Sequence, residues 1–243
     1  MSNKSTSPTP AARKPIVAID GPAGAGKSTI ARALAVRFGL LNLETGAMYR
    51  AFALKALRAG VALDDIAALV ALTAHTQIGL AQAEQGNCVL LDGEDVTAAV
   101  RDPEVTQAAS KVSVHTPIRA WMVALQQQLG ANGGVVMEGR DIGTVVFPNA
   151  DVKIFLDADP EVRGQRRFDQ LGPAPSVPVG EVIRDLRERD HRDRNRTDSP
   201  LKPAEDAILL NSTHLSLDET VRAAGDLVAN KLKSSHCAEP TTF

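Results

Sequence analysis

The stretch that most restricts what this chain can become is "AIDGPAGAGKST", Ala18–Thr29, which overlaps the apolar run Ile16–Ile19. Gly21, Gly26, Lys27 and Ser28 occupy the fixed places of the pattern G-x-x-x-x-G-K-[ST]. Glycines let a backbone curl around an anion and bring its amide N–H groups close. A helix starting at Lys27 adds the partial positive charge of its N-terminus. In this pattern the lysine reaches the β- and γ-phosphates of a nucleoside triphosphate, and the hydroxyl after it ligates Mg²⁺. The segment thus prescribes three elements. These are a buried strand over Ile16–Ile19, a phosphate-binding loop of Gly21, Pro22, Ala23, Gly24, Ala25, Gly26, Lys27, Ser28 and Thr29, and a helix over Lys27–Phe38 ended by Gly39.

The rest of the chain has to supply a sheet for that loop to sit on. "LLNL" (Leu40–Leu43) predicts a second strand and Gly46–Ala59 a second helix stopped at Gly60. Strand, loop, helix, strand, helix is the signature of a parallel sheet with crossover helices. Over Leu72–Ser113 the texture changes to short antiparallel strands plus a helix, with a hairpin signal at Asp92-Gly93. A helix over Pro117–Leu129 follows, then strands at Gly134–Gly139 and Asp151–Leu156 and helices at Pro160–Asp169 and Gly180–Arg189. Between those helices, Gln170–Gly180 is rich in proline and glycine and reads as a mobile loop. A fifth strand within Asp206–Thr213 and a helix over Asp218–Lys231 close the pattern.

Composition narrows the class of partner. Of 243 residues 44% are hydrophobic, enough for a real core, and only 3% are aromatic, so that core is aliphatic. A net charge of −2 gives no reason to expect a nucleic-acid polymer or an acidic membrane as partner. No apolar run is long enough to span a membrane, and residues 1–14 read as a disordered leader rather than a secretory signal. Cys88 and Cys237 form neither a disulfide framework nor a metal-ligand spacing, which points to a reducing, cytoplasmic setting.

A phosphate loop does not name a reaction. A guanine-reading Asn-Lys-x-Asp motif is absent. A kinase for a small acceptor needs cations that hold the acceptor and absorb charge as the phosphoryl group moves. Arg50 in "ETGAMYR" lies near the carboxyl edge of the sheet, where ligands bind, though alone it reads better as a solvated helix arginine. In "MEGRDIG" an apolar strand ends in Glu138, a place where acidic residues often sit near a magnesium ion and its waters, and Arg140 follows as a bidentate phosphate ligand or one half of an ordinary salt bridge. The run "RERDHRDRNR", Arg187–Arg196, admits three readings: a solvated helical face, a nucleic-acid patch, or a lid over two phosphate groups. Arg166 and Arg167, ahead of the Pro/Gly loop, favour the lid. Proteins that read nucleic acid, or that bind nucleotide without turnover, remain rivals of a kinase.

"AIDGPAGAGKST", "TGAMYR", "GRDIGTVVFP", "KIFLDA" and "ERDHRDRNR" stand in the order and spacing of bacterial cytidylate kinases, which the chain resembles from about Ile16 to Leu232. The resemblance implies an α/β fold: a P-loop NTPase-type five-stranded parallel sheet flanked by helices, with a small monophosphate-binding insert and a short lid. It implies one kinase domain over 15–243, with its core at 15–71 and 114–232, the insert at about 72–113 and the lid at about 163–190. The reaction implied is phosphoryl transfer from ATP, with Mg²⁺, to CMP or dCMP, by a monomer in pyrimidine nucleotide metabolism. UMP or another small acceptor is the alternative on the same fold. Carried over by motif, Thr45, Arg50 and Arg140 would hold the acceptor phosphate, and Ser110, Arg119 and Asp141 would read cytosine. Arg189 and Asp193 would contact the sugar, Arg196 would bridge to the phosphates, and Arg166 and Arg167 would meet the transferring group. Catalysis on this reading falls to Lys27, Arg140, Arg166, Arg167 and Arg196, with Ser28 on magnesium and Glu138 beside it through water. Family members often carry Asp at the place of Glu138 and Asp-Ser at Glu44-Thr45.

Overall fold

The computed structural model describes residues 13–83, 86–170 and 177–236. The leader, most of the Pro/Gly loop and Cys237 therefore lie outside the described residues, apart from Arg13 and Lys14.

Chain order runs β1 (Ile16–Asp20), α1 (Lys27–Phe38), β2 (Leu41–Glu44), α2 (Thr45–Arg58), α3 (Ile66–Thr73), β3 (Ile78–Ala83), β4 (Gly86–Leu91), β5 (Glu94–Asp95), α4 (Pro103–Val112) and α5 (Thr116–Gly130). It continues with β6 (Val135–Gly139), a π-helical turn (Ile142–Val146), β7 (Val152–Asp157), α6 (Pro160–Asp169), α7 (Val179–Asn195), β8 (Ile208–Asn211) and α8 (Leu217–His236).

The five-stranded sheet has the order β2-β6-β1-β7-β8 and every pairing in it is parallel. β1 and β6 are buried at every position, as strands covered by helices on both faces must be. One aliphatic cluster, with Ile19, Ile30, Leu34 and Val228, packs the sheet against α1 and α8. A second, with Leu43, Met137 and Ile142, fills the opposite face. Parallel registry brings Asp20, Glu44, Gly139 and Asp157 to one edge, the carboxyl edge of the sheet.

The antiparallel texture after residue 72 becomes the sheet β3-β4-β5, followed by α4. Asp92 and Gly93 both have positive φ, 52° and 87°, as a two-residue hairpin between β4 and β5 demands. Asp102 caps α4 by accepting from the Glu104 N–H at 2.8 Å, with Pro103 at the first helical position. This unit packs on α2 and α5 around Phe52 and Trp121, whose ring centroids lie 5.2 Å apart.

Two features depart from the sequence reading. Helix α3, "IAALVALT", is apolar at every turn and carries no amphipathic period to expose it, although Asp65 caps it through the Ala68 N–H at 3.0 Å. Helix α7 runs to Asn195 rather than ending near Arg189, and its acidic residues there find cationic partners, Asp190 in Arg163 of α6 and Asp193 in Arg140.

Candidate active site

Gly21 leaves β1 with φ 149°, and a Cβ there would stand 1.9 Å from the carbonyl oxygen of Leu156 on β7. Only glycine permits that crossing. Gly24 and Gly26 then take φ 75° and 98°, curling the loop towards α1. Among the described residues, the backbone N–H groups of Gly24 to Ser28 donate no hydrogen bond, so five consecutive donors stand uncommitted in a tight curl. Lys27 folds back over the loop and donates to the Pro22 carbonyl at 2.7 Å. Burial, reinforced by Arg140, pushes the Lys27 ammonium down to about 7.

The loop forms one wall of a cavity of about 910 Å³. Every residue given a site role from the sequence lines that cavity except Gly21 and Pro22, the first two residues of the loop. On the floor, the Ser28 hydroxyl donates to Glu138 Oε1 at 3.1 Å, and the Thr45 hydroxyl donates to the Glu138 carbonyl at 2.8 Å. The strand end β6 therefore binds both the loop helix α1 and the start of α2.

Opposite the loop, cations and carboxylates interlock. Asp193 accepts from Arg140 Nε at 2.9 Å. Buried Arg119 pairs with buried Asp141 and also donates to the Ser113 carbonyl at 3.1 Å. Arg196 stands between the two carboxylates, 3.9 Å from Asp141 and 4.0 Å from Asp193. Burial alone would raise Asp193, but Arg140 and Arg196 outweigh it and hold the carboxyl below its ordinary range. Burial and the neighbouring Arg140 pull Arg189 down to about 10. Donors remain to spare: the Nε atoms of Arg50 and Arg119 and one terminal nitrogen of Arg196 are buried with no hydrogen-bond partner among the described residues. Buried guanidinium donors left unsatisfied are costly, and an anionic ligand with several acceptor oxygens satisfies them.

The charge run is thereby divided. Arg189, Asp193 and Arg196 line the cavity at helical spacing, whereas Arg187 pairs with Glu161 outside it and Arg192 is exposed. Arg167 lines the cavity with one bond, to Gln170 at 3.3 Å. Arg166 also reaches the wall, but its guanidinium is committed to the turn after β8, donating to the Ser212 hydroxyl at 3.0 Å and its carbonyl at 2.7 Å. His191 lies on the exposed face of α7.

Sequence reading missed several residues that hold or line this site, among them Asp20, Arg101, Tyr49 and Arg163. Asp20 accepts from the N–H groups of Ile142 and Gly143 at 2.8 and 2.7 Å, fixing the π-helical turn after Arg140 and Asp141. Burial raises its carboxyl to about 6. Arg101 and Tyr49 line the cavity from the 3-10 turn before α4 and from α2. Buried Arg163 grips the phosphate loop through the Ala23 carbonyl at 2.8 Å. Only Asp20, set directly before Gly21, carries a local signal.

A parallel sheet with a phosphate loop at its carboxyl edge, opening into a cavity walled by arginines, defines a nucleotide-binding phosphotransferase of the P-loop class. Comparison with known proteins narrows that class. The family model for cytidylate kinase matches residues 17–230. Over 223 residues the chain is 48% identical to a cytidylate kinase of Solibacter usitatus (strain Ellin6076), spanning 90% of this chain and 94% of that protein. It is 47% identical over 217 residues to one of Geobacillus sp. (strain WCH70), spanning 89% and 97% respectively. A gluconokinase structure from Sinorhizobium meliloti 1021 aligns with a TM-score of 0.49 at 16% identity, covering 93% of this chain and 98% of that one. This chain belongs to the cytidylate kinase family.

Proposed function

We propose that the protein transfers the terminal phosphoryl group of ATP to the phosphate of CMP or dCMP, giving ADP and CDP or dCDP. One observation carries the reading: a single cavity is lined by the phosphate loop, by Arg140 and by the buried Arg119–Asp141 pair. The loop's uncommitted N–H groups and Lys27 would hold the β- and γ-phosphates. At the other end Thr45, Arg50 and Arg140 would hold the acceptor phosphate. Asp141 would accept from the exocyclic amine of cytosine, Arg119 would donate to the ring carbonyl, and Ser110 would add a hydroxyl. Arg189 and Asp193 would contact the sugar. Arg196, one terminal nitrogen of which has no hydrogen-bond partner among the described residues although it lies 3.9 Å from Asp141, would bridge base reader and phosphates.

An oxygen of the acceptor phosphate, already ionised near neutral pH, attacks the γ-phosphorus, the bond to the β–γ bridging oxygen breaks, and ADP leaves with that electron pair. No general base is needed, and alignment with positive charge on the equatorial oxygens does the rest. Arg167 would come onto the transferring group from the α6–α7 lid. Arg166, held by Ser212, would do so only after leaving that turn. Ser28 and Glu138 present hydroxyl and carboxylate oxygens side by side, the hard donors magnesium takes, and would hold the ion directly and through water. Bound there, magnesium neutralises charge on the β- and γ-phosphates. The insert at about 72–113 would carry the monophosphate site, and the enzyme would work as a cytoplasmic monomer with no nucleic-acid or membrane partner. No helix of the described residues is long and apolar enough to cross a membrane.

The test is an ADP-release assay with ATP and Mg²⁺ that compares CMP, dCMP, UMP, AMP and GMP with a no-acceptor control. Strong turnover with CMP and dCMP is expected. Equal rates with UMP or AMP would discard the base-reading roles and keep the kinase. Asp141→Ala should lower kcat/KM for CMP about a hundredfold more than for UMP, a ratio that cancels any loss of folded protein.

A further inference from the structure

Arg163 and Asp190 form a buried ion pair, 2.7 Å between guanidinium and carboxylate, joining α6 to α7. The pair closes around one residue of the phosphate loop. Arg163 donates to the Ala23 carbonyl at 2.8 Å, and Asp190 accepts from the Ala23 N–H at 3.4 Å. A third bond, from Arg163 Nε to the Ala158 carbonyl at 2.7 Å, anchors the guanidinium at the end of β7. Gly164 lets the two helices meet here, since a Cβ on it would stand 2.2 Å from Ile183. Gly24 is fitted less tightly, with a Cβ on it 3.3 Å from the Arg163 Cβ.

We infer that Arg163 and Asp190 are positioning residues for the nucleoside triphosphate: they set the curvature of the phosphate loop from outside it. Both polar backbone groups of Ala23 are engaged by the clasp, while the next five N–H groups stay uncommitted. Fixing the Ala23 peptides fixes the direction in which the chain enters that curl. The Pro22 carbonyl, which receives Lys27, belongs to the peptide whose N–H Asp190 holds. The clasp also ties the α6–α7 hairpin to the loop, so the arginines of that hairpin and the phosphates they meet share one frame. This inference rests on the ATP-binding half of the function proposed above and not on the identity of the acceptor.

Breaking the pair from one side strands a buried charge, so single truncations risk unfolding. The decisive variant is the double change Arg163→Met with Asp190→Leu, which removes both charges at similar volume and keeps the fold, as circular dichroism would verify. Arg163→Lys keeps the charge but not the three-way fork and serves as the second variant. ATP binding is read by titration calorimetry without acceptor, and KM is read separately for ATP and for CMP. The expected result is Kd and KM for ATP raised by about tenfold or more in both variants, the worth of a charged hydrogen bond, with KM for CMP unchanged. A folded double variant that binds ATP like the wild type overturns the inference, as does an equal rise in both KM values. Should the wild type bind ATP yet phosphorylate no CMP, the acceptor reading fails while calorimetry still decides the clasp.

Discussion

Lys27 is a lysine held near neutrality by its surroundings. Burial and Arg140 set its folded value at about 7, against an ordinary 10.5. Between those values the unfolded chain holds more protons than the folded one, so this group makes stability rise with pH across that window. A polyphosphate beside the ammonium reverses the bias and draws the value back up. ATP binding at pH 8 is therefore expected to take up a proton, seen as a binding enthalpy that changes with the ionisation enthalpy of the buffer. Lys27→Met should abolish that dependence along with turnover. Binding of ATP to the wild type without proton uptake would mean that the lysine does not change its charge on binding. Asp20 behaves in the opposite sense. Its folded value of about 6 lies above the ordinary 3.8, so its contribution is present in full below 3.8 and is lost as pH rises through 6.

At the scale of elements, the phosphate loop is held on three sides. β7 backs it through the close approach of Leu156 to Gly21, α1 caps it, and the α6–α7 hairpin clasps it. Gly21→Ala tests the first of these. The new methyl would overlap the Leu156 carbonyl in a region of φ that side chains avoid, and it meets backbone that cannot turn aside. A loss of about 1–3 kcal/mol is expected on chemical denaturation, with weaker ATP binding. An unchanged midpoint would mean that loop and strand can separate freely. The helical hairpin is a different kind of support. Its inner face carries Arg189, Asp193 and Arg196 into the cavity, while its base is fixed at Arg163 and Asp190. Any motion of the hairpin must therefore be made beyond that base.

For the molecule as a whole, two of the aliphatic clusters share members: Leu80 and Leu129 pack against both the core of the small sheet and one face of the large one. The small unit should not melt alone. Phe52→Ala, at a fully buried ring on α2, is expected to cost about 3–5 kcal/mol and lower Tm by about 10 °C in one calorimetric transition. Two separated transitions would show the unit to be independent. This scale also decides what the sequence could reveal. The phosphate loop was legible because its strand, glycines, lysine and helix are neighbours in the chain. Asp92-Gly93 was legible because a turn is a local event. Asp20 and Arg163 were not, since Asp20 meets its partner 122 residues away and Arg163 meets Ala23 at a separation of 140. Ser110 and Arg119 were reached only through family resemblance. They lie on different helices and converge through the turn at Ser113, whose carbonyl Arg119 engages. The interlocked pairs of Arg119 with Asp141 and Arg140 with Asp193 have one further consequence. A ligand entering there trades places with a counter-ion the protein already owns, so its gain is a difference between two neutralised states. Chloride or a lone phosphate can answer only the cations in that exchange; a molecule that presents a phosphate and a matching base edge at the right separation can meet the arginines with the one and the freed carboxylate of Asp141 with the other.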